Sequence, residues 1–267
     1  MTLALPDVRT GRFGPIVPRS ALAKLTAALI VSMPLILSVD VVSAATALVL
    51  AVPVLLCCGL TPREFWTRTA VLWIAAPLSA VTIALYGQAS GPVLFSWFVM
   101  HVTEGSLGLA VATGLRVLAI GLPAVALFAT VDPTDLADAL AQRLRLPARF
   151  VIGALAGMRM LGLLAEDWRA LALARRARGV ADQGRIRRGA GMAFALFVLA
   201  VRRGSSLATA MEARGFGARG LPPRTWARPA PWAAADTVLV LLSAVIPAAA
   251  IAVAVAAGSW HLILGPA

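Results

Sequence analysis

Lysine, histidine and cysteine are nearly absent from this chain, and each shortage excludes a class of site. Lys24 is the single lysine and lies in no glycine-rich loop, so the chain lacks the phosphate-binding loop of an ATPase. The two cysteines, Cys57 and Cys58, are adjacent and lack the spacing of a metal site. The two histidines, His101 and His261, lie far apart with no ligand pattern beside them. We therefore expect no catalytic residue, no metal site and no cofactor in this chain.

Charged residues are also scarce, at 13% of the chain, whereas hydrophobic residues make up 60%. Several apolar runs approach the ~20 residues that cross a bilayer, which indicates a polytopic membrane protein. The formal net charge of +12 is then typical of arginine-rich cytoplasmic loops under the positive-inside rule. Nucleic acid is not an expected partner, and the lipid bilayer is.

Five apolar runs are predicted to be membrane-spanning helices. They cover residues 21–38, 41–60, 69–86, 105–129 and 236–257. A further apolar stretch at 93–101 is too short to assign, and its role stays open.

A basic segment, 132–228, separates the fourth run from the fifth. It contains 17 arginines and seven acidic residues, a net charge of +10, and the rest of the chain nets +2. Its two apolar patches, 150–164 and 190–201, are shorter than a span and are typical of buried or interfacial helices. If 150–164 crossed the membrane, the arginine cluster at 175–188 would lie outside, against the positive-inside rule. We expect the whole segment to be cytoplasmic.

The predicted fold is therefore an all-α polytopic membrane protein with about five transmembrane helices and a cytoplasmic domain of long amphipathic helices. The predicted domains are a cytoplasmic N-terminal tail (1–20), a four-span membrane domain (21–131), the cytoplasmic helical domain (132–228), and a last span with an external C-terminus (229–267).

Helix signals within the basic segment define three helices. Asp132 and Pro133 form an N-cap and first-turn pair. The second helix is predicted from Pro147 to Gly179, and the third opens at 189–191 and ends at Arg214. The second helix carries one continuous face of residues spaced by three and four: Phe150, Ala154, Met158, Leu161, Ala165, Trp168 and Ala172.

The same three residues end both long helices, as Ala177-Arg178-Gly179 and Ala213-Arg214-Gly215. An arginine before a terminal glycine can project past the helix end, and small neighbours let a partner approach the backbone. A guanidinium matches a carboxylate through two charge-assisted hydrogen bonds. The alternative stays open, because an arginine at a helix C-terminus is favoured by the helix dipole alone.

Residues 114–179 and 210–217 resemble the T component of energy-coupling factor (ECF) transporters, the CbiQ/EcfT family. The paired triplets and the helix start T-x-D-P-x-D-L at 130–136 carry the resemblance. In that family two cytoplasmic coupling helices end in arginine motifs that dock into two ABC-type ATPases, and the helices cradle a small membrane-embedded S component. The resemblance implies that the two triplets are the docking motifs. The family's N-terminal signature is incomplete here, since Ile16-Val17-Pro18-Arg19 lacks its aspartate.

The resemblance also implies a non-catalytic transport subunit of an ABC-type importer for a vitamin or a transition-metal ion. Its place would be the inner cell membrane of a bacterium or archaeon, with the N-terminus cytoplasmic. ATP and magnesium would be bound by the partner ATPases.

Two other assignments deserve comparison. Asp132, Asp135 and Asp138 could hold magnesium for an intramembrane prenyltransferase, but no second acidic cluster is present and helix capping explains them. A permease subunit of another primary transporter is the second alternative.

Two further features are predicted to matter. Arg116 lies within the fourth apolar run and needs a partner there, for which Glu104 is a candidate. Gly153 and Gly157 form a G-x-x-x-G pattern that permits close helix approach, to the third helix or to the S component.

Overall fold

The computed structural model describes residues 14–38, 40–87, 92–97, 100–179, 184–216, 225–226 and 228–259. In these residues the order is α1 (Ala21–Leu37), α2 (Val41–Cys57), α3 (Pro62–Tyr86), β1 (Val93–Trp97), β2 (Met100–Thr103), α4 (Glu104–Phe128), α5 (Pro133–Gln142), α6 (Ala148–Ala177), α7 (Arg185–Ala213) and α8 (Ala234–Ala256). The all-α prediction is confirmed. The exception is the antiparallel pair of strands β1 and β2, whose described residues include part of the stretch at 93–101 that the sequence left open.

The chain divides into two compact units. The first unit comprises the chain up to Leu136 and from Pro231 onward, and the second runs from Ala137 to Ala230. The predicted N-terminal tail lies largely outside the described residues, as do His261 and the C-terminal residues beyond 259.

Small residues form the contacts within the first unit. Helix α4 packs against α1, α2 and α3, and α8 packs against α1 and α2. Each of these helices except α3 buries alanines that are at most 1% exposed: Ala23, Ala27, Ala44, Ala47, Ala51, Ala112, Ala119, Ala126, Ala250 and Ala254. Small side chains let helix backbones approach closely, which is how helices associate in lipid.

Many large apolar side chains of the first unit are exposed, although others, such as Leu35 and Leu127, are buried in its core. Examples on α2, α3 and α8 are Leu56, Val71, Ile74, Leu78 and Leu241, all more than 60% exposed. Such a surface would aggregate in water and is suited to lipid tails. The first unit therefore has the packing pattern of a membrane domain.

Helices α1, α2, α3, α4 and α8 of this unit each contain one internal proline. These are Pro34, Pro53, Pro77, Pro123 and Pro247. Helices α6 and α7 of the second unit contain none. Internal proline is costly in a water-exposed helix but is frequent in membrane helices, where packing neighbours accommodate it.

Helix lengths correct one expectation. Within the described residues, five helices are long and apolar enough to span a membrane, namely α3, α4, α6, α7 and α8, whereas α1 and α2 are shorter, at 17 residues. The patches 150–164 and 190–201 are short as runs, but the helices that contain them are not. The lengths of the apolar runs alone excluded these helices as spans, whereas the helices predicted and observed around them are long enough to cross a membrane.

Polar contacts tie the helix ends together at one end of the first unit. Asp236 is 3% exposed; its carboxylate accepts from the N–H of Ser20 at 3.0 Å and of Ala233 at 2.9 Å. Lys24 is 2% exposed and its ammonium donates to the carbonyls of Val17 and Thr130, both at 2.9 Å. These contacts join the beginnings of α1 and α8 to the end of α4. The chain leaves this unit after α4 and returns before α8, so both connections belong to the same end.

Helices α6 and α7 pair within the second unit. Arg203 of α7 forms an ion pair with Asp167 of α6, and the Arg175 guanidinium lies against Gly191 of α7. From the first contact to the second, the residue number increases on α6 and decreases on α7, so the two helices run antiparallel. A separate small apolar cluster joins the two helices α5 and α6. It contains Ala137 and Ala141 of α5, Val151 and Leu155 of α6, and Trp226.

Asp236 should stabilise the first unit through its two backbone acceptors. We expect Asp236→Ala to lower the free energy of unfolding by about 1–2 kcal/mol, because two N–H groups lose their acceptor. Asp236→Asn should cost less, since its amide keeps one acceptor oxygen. Thermal unfolding in detergent micelles measures the difference, and equal midpoints for Asp236→Ala and the unmodified chain would contradict this role.

Candidate functional site

Both Ala-Arg-Gly triplets lie at the C-terminal ends of long helices, in nearly the same backbone conformation. Arg178 is the C-cap of α6, with φ −88° and ψ 4°, and Arg214 is the C-cap of α7, with φ −87° and ψ 9°. The glycines that follow are left-handed, with φ 67° at Gly179 and 76° at Gly215. Glycine is required at this position because a side chain there would be strained.

Hydrogen bonds close both helix ends in the same way. The Gly179 N–H donates to the Arg176 carbonyl at 3.1 Å, and the Gly215 N–H donates to the Glu212 carbonyl at 2.9 Å. At the second end the Phe216 N–H also donates to the Met211 carbonyl at 3.0 Å, which completes a Schellman motif. The equivalent residue of the first triplet, Val180, lies outside the described residues.

The arginine side chains at these two ends are available to a partner. Arg178 and Arg214 are exposed, and within the described part of the chain neither guanidinium has an ion-pair partner. The last turn of α6 also contains Arg175 and Arg176, whereas the last turn of α7 contains no basic residue. Each triplet is thus a fixed backbone turn that presents one free guanidinium.

Exposed apolar side chains cover much of α6 and α7. Of the predicted face of α6, Phe150, Met158, Leu161 and Trp168 are all at least 40% exposed. Helix α7 adds five large side chains that are each at least half exposed: Ile186, Phe194, Phe197, Val198 and Val201. A continuous exposed apolar surface of this kind indicates contact with another protein or with lipid.

Gly153 and Gly157 lie on α6 with open space beside them. A Cβ added at either glycine would meet nothing within 4 Å among the described residues. Of the two neighbours expected for this pattern, α7 is therefore not packed against it here. A partner outside this chain stays a prediction.

Arg116 lies in the middle of α4. Its Nη2 atom is buried and has no hydrogen-bond partner among the described residues. The acid close enough to interact with it electrostatically is Asp40, the N-cap of α2, rather than the candidate Glu104, which is exposed at the start of α4. Asp40 is 5% exposed and accepts hydrogen bonds from Ser38 and Ser43. The sequence could not identify this partner, because Asp40 and Arg116 are 76 residues apart.

Two of the three aspartates at α5, Asp132 and Asp135, have a structural explanation. The Asp132 carboxylate accepts from the Thr134 N–H at 2.7 Å and so caps the helix, and Asp135 lies in its first turn. No group of three potential metal ligands occurs in the part of the chain that the structure describes.

The two kinds of glycine on α6 and α7 should respond in opposite directions to alanine. Gly179→Ala and Gly215→Ala should each destabilise the helix end by about 1–2 kcal/mol, because alanine is strained at positive φ. Gly153→Ala is the matched control; it should stabilise α6 by about 0.5–1 kcal/mol, since its site is helical and open. Hydrogen exchange of the last helical turns measures both effects. Faster exchange in the control than in the end variants would contradict the assignment.

Comparison with known proteins identifies a family and several relatives of this chain. The profile of the CbiQ family, described as cobalt transport protein, matches residues 19–224. Three relatives named energy-coupling factor transporter transmembrane protein EcfT align as well. The Exiguobacterium sibiricum protein is 33% identical over 172 residues, 60% of this chain and 65% of that protein. The Limosilactobacillus fermentum protein is 28% identical over 64% of this chain and 69% of its own length.

The third relative, from Bacillus subtilis, is 28% identical over 67% of this chain and 70% of its own length. The chain thus matches about two thirds of the length of each relative. The region that the family profile matches includes both triplets, the α5 start and most of the helices described above. Because the family profile covers more than three quarters of the chain, this membrane protein belongs to the CbiQ/EcfT family, the transmembrane T components of ECF transporters.

Proposed function

We propose that this chain is the energy-coupling subunit of an ABC-type importer for a vitamin or a transition-metal ion. The observation that carries the proposal is the pair of equivalent helix ends, each presenting one exposed arginine. In this proposal α6 and α7 hold two ATPases and transmit their motion to a substrate-binding S component. The chain itself catalyses no reaction, and ATP and magnesium are bound by the partners.

Arg178 and Arg214 are the proposed ATPase contacts. Each follows a small residue and precedes a glycine, so a groove can close around the guanidinium without meeting bulky neighbours. A carboxylate in such a groove would accept two hydrogen bonds from the planar guanidinium. Two motifs at two helix ends suit two ATPase subunits.

The apolar surface of α6 and α7 is the proposed contact for the S component. A small membrane protein presents apolar side chains, and the exposed aromatic and aliphatic residues of both helices offer a matching surface. The open backbone at Gly153 and Gly157 would allow a partner helix to approach closely.

The second unit is proposed to be cytoplasmic. Both of its connections belong to the same end of the first unit, so α6 and α7 must either both cross the membrane or both stay on one side. If both crossed, the arginines around their connecting loop would lie outside, against the positive-inside rule. Helices α6 and α7 contain no proline, as expected of helices outside the bilayer. The five helices that contain an internal proline are the proposed membrane spans.

Topology reporters fused to the full chain test this arrangement. A fusion at Asp182 should report the cytoplasm and a fusion at Ala267 the exterior, because five crossings separate the N-terminus from the C-terminus. A fusion at Asp7 should agree with the one at Asp182. Opposite locations for Asp7 and Asp182 would overturn the five-span arrangement.

The docking arginines can be tested by co-purification with the two ATPases. Arg178→Ala and Arg214→Ala should each weaken ATPase capture about 30-fold or more, since losing one member of a desolvated charge pair costs ~2–5 kcal/mol. The double variant should release both ATPases. Arg→Lys should rescue poorly, because an ammonium cannot form the bidentate contact.

Arg176 provides the matched control. It lies two residues from Arg178, is exposed and carries the same charge, but it is not the C-cap residue. Arg176→Ala should leave ATPase capture nearly unchanged. Equal losses for Arg176→Ala and Arg178→Ala would mean that the triplet acts only as part of a basic surface.

A further inference from the structure

One ion pair joins α6 to α7 within the described residues. The Arg203 guanidinium grips the Asp167 carboxylate with two hydrogen bonds, Nη1 to Oδ2, and Nη2 to Oδ1 at 3.3 Å. Both side chains are partly buried, with 39% of Arg203 and 22% of Asp167 exposed. The bidentate arrangement fixes orientation as well as distance.

Acidic residues are scarce on the two helices that this ion pair joins. Helix α6 contains five arginines and two acids, and α7 contains five arginines and one acid. Arg175 also faces α7, with its Nη2 only 3.2 Å from where a Cβ of Gly191 would lie. Two helices this basic repel each other, so the carboxylate of Asp167 offsets a repulsion that would otherwise separate them.

The position of the pair relates it to the two triplets. Arg178 follows Asp167 by 11 residues on α6, and Arg214 follows Arg203 by 11 residues on α7. At about 1.5 Å per residue, each triplet lies roughly 16 Å along its helix from the ion pair. Because the helices run antiparallel, the triplets extend from the pair in opposite directions.

We propose that Asp167 and Arg203 are positioning residues that fix the angle between α6 and α7, and thereby the separation of Arg178 and Arg214. This inference rests on the proposed function and adds to it a component outside the docking motifs. A change in the crossing angle moves each triplet by an amount that grows with its distance from the ion pair. Because the two distances are equal, the two triplets are displaced equally.

A fixed separation matters because two ATPases are held at once. When one triplet is docked, the second meets its ATPase at an effective concentration set by the geometry between them. A free angle would spread the second triplet over many positions and lower that concentration. The ion pair between Asp167 and Arg203, here called the brace, therefore affects simultaneous docking of both triplets and energy coupling. It does not affect the contact of either triplet alone.

Pulsed electron-spin distance measurements on the full chain in nanodiscs test the brace directly. Spin labels are placed on Ala177→Cys and Ala213→Cys, with both native cysteines replaced by alanine. We expect a narrow distance distribution that Asp167→Asn or Arg203→Gln broadens, with a two- to fivefold loss of the main population, as expected of a partly exposed ion pair. The exchange Asp167→Arg with Arg203→Asp should restore it.

Neighbouring residues supply matched controls. Glu166→Gln and Arg202→Gln remove the same charges one residue away, from exposed side chains, and should leave the distribution unchanged. An unchanged distribution in Asp167→Asn and Arg203→Gln, or equal broadening in the controls, would overturn the brace.

The full transporter in vesicles provides the second measurement. Asp167→Asn should lower substrate uptake more than ATP hydrolysis, and the charge exchange should recover uptake, which a loss of folding alone would not produce. If Arg178→Ala and Arg214→Ala leave ATPase capture intact, the proposed function fails. If those variants release the ATPases while Asp167→Asn alters neither distance nor uptake, only the brace fails.

Discussion

The backbone groups at helix ends have no partner within their own helix, and most distinctive features of this protein are solutions to that constraint. In the first unit the partners are buried charges: Asp236 accepts for the beginnings of α1 and α8, and Lys24 donates to carbonyls beside α1 and at the end of α4. In the second unit the ends close on themselves through glycine. The first solution joins helices, whereas the second leaves an end free to meet another protein.

Depth in the membrane explains the remaining buried charge. Helices α1 and α2 have 17 residues each, about 25 Å, which is less than the ~30 Å of a bilayer's apolar core. If α1 begins and α2 ends at one surface of a bilayer, Asp40, the N-cap of α2, would lie within its apolar core. Arg116 of α4 is near enough to that carboxylate to interact with it electrostatically, although the two form no ion pair among the described residues. An acidic group in its vicinity gives Arg116 a structural reason independent of any substrate.

Local signals in the sequence predicted a large part of this arrangement. The apolar runs located α1 to α4 and α8, and glycine after arginine located the ends of α6 and α7, because each signal lies within the element it specifies. The start of α7 was misplaced, at Gly189 and Gly191 instead of Arg185, since arginines before the apolar patch resembled a loop. The ion pair between Asp167 and Arg203 and the electrostatic interaction of Asp40 with Arg116 depend on how separate helices pack, and no single helix pattern contains that information.

The composition of α6 and α7 shows why two helices with matching ends need a specific contact between them. Apolar side chains on both are largely exposed, so little buried area holds the helices together, and their arginines oppose pairing. An apolar contact between the two helices would have buried the surface that the proposed S component would contact. A polar contact such as the one between Asp167 and Arg203 leaves that surface open and still defines the orientation. The second unit can therefore hold its geometry with few contacts and leave exposed the surfaces on which its proposed partners would act.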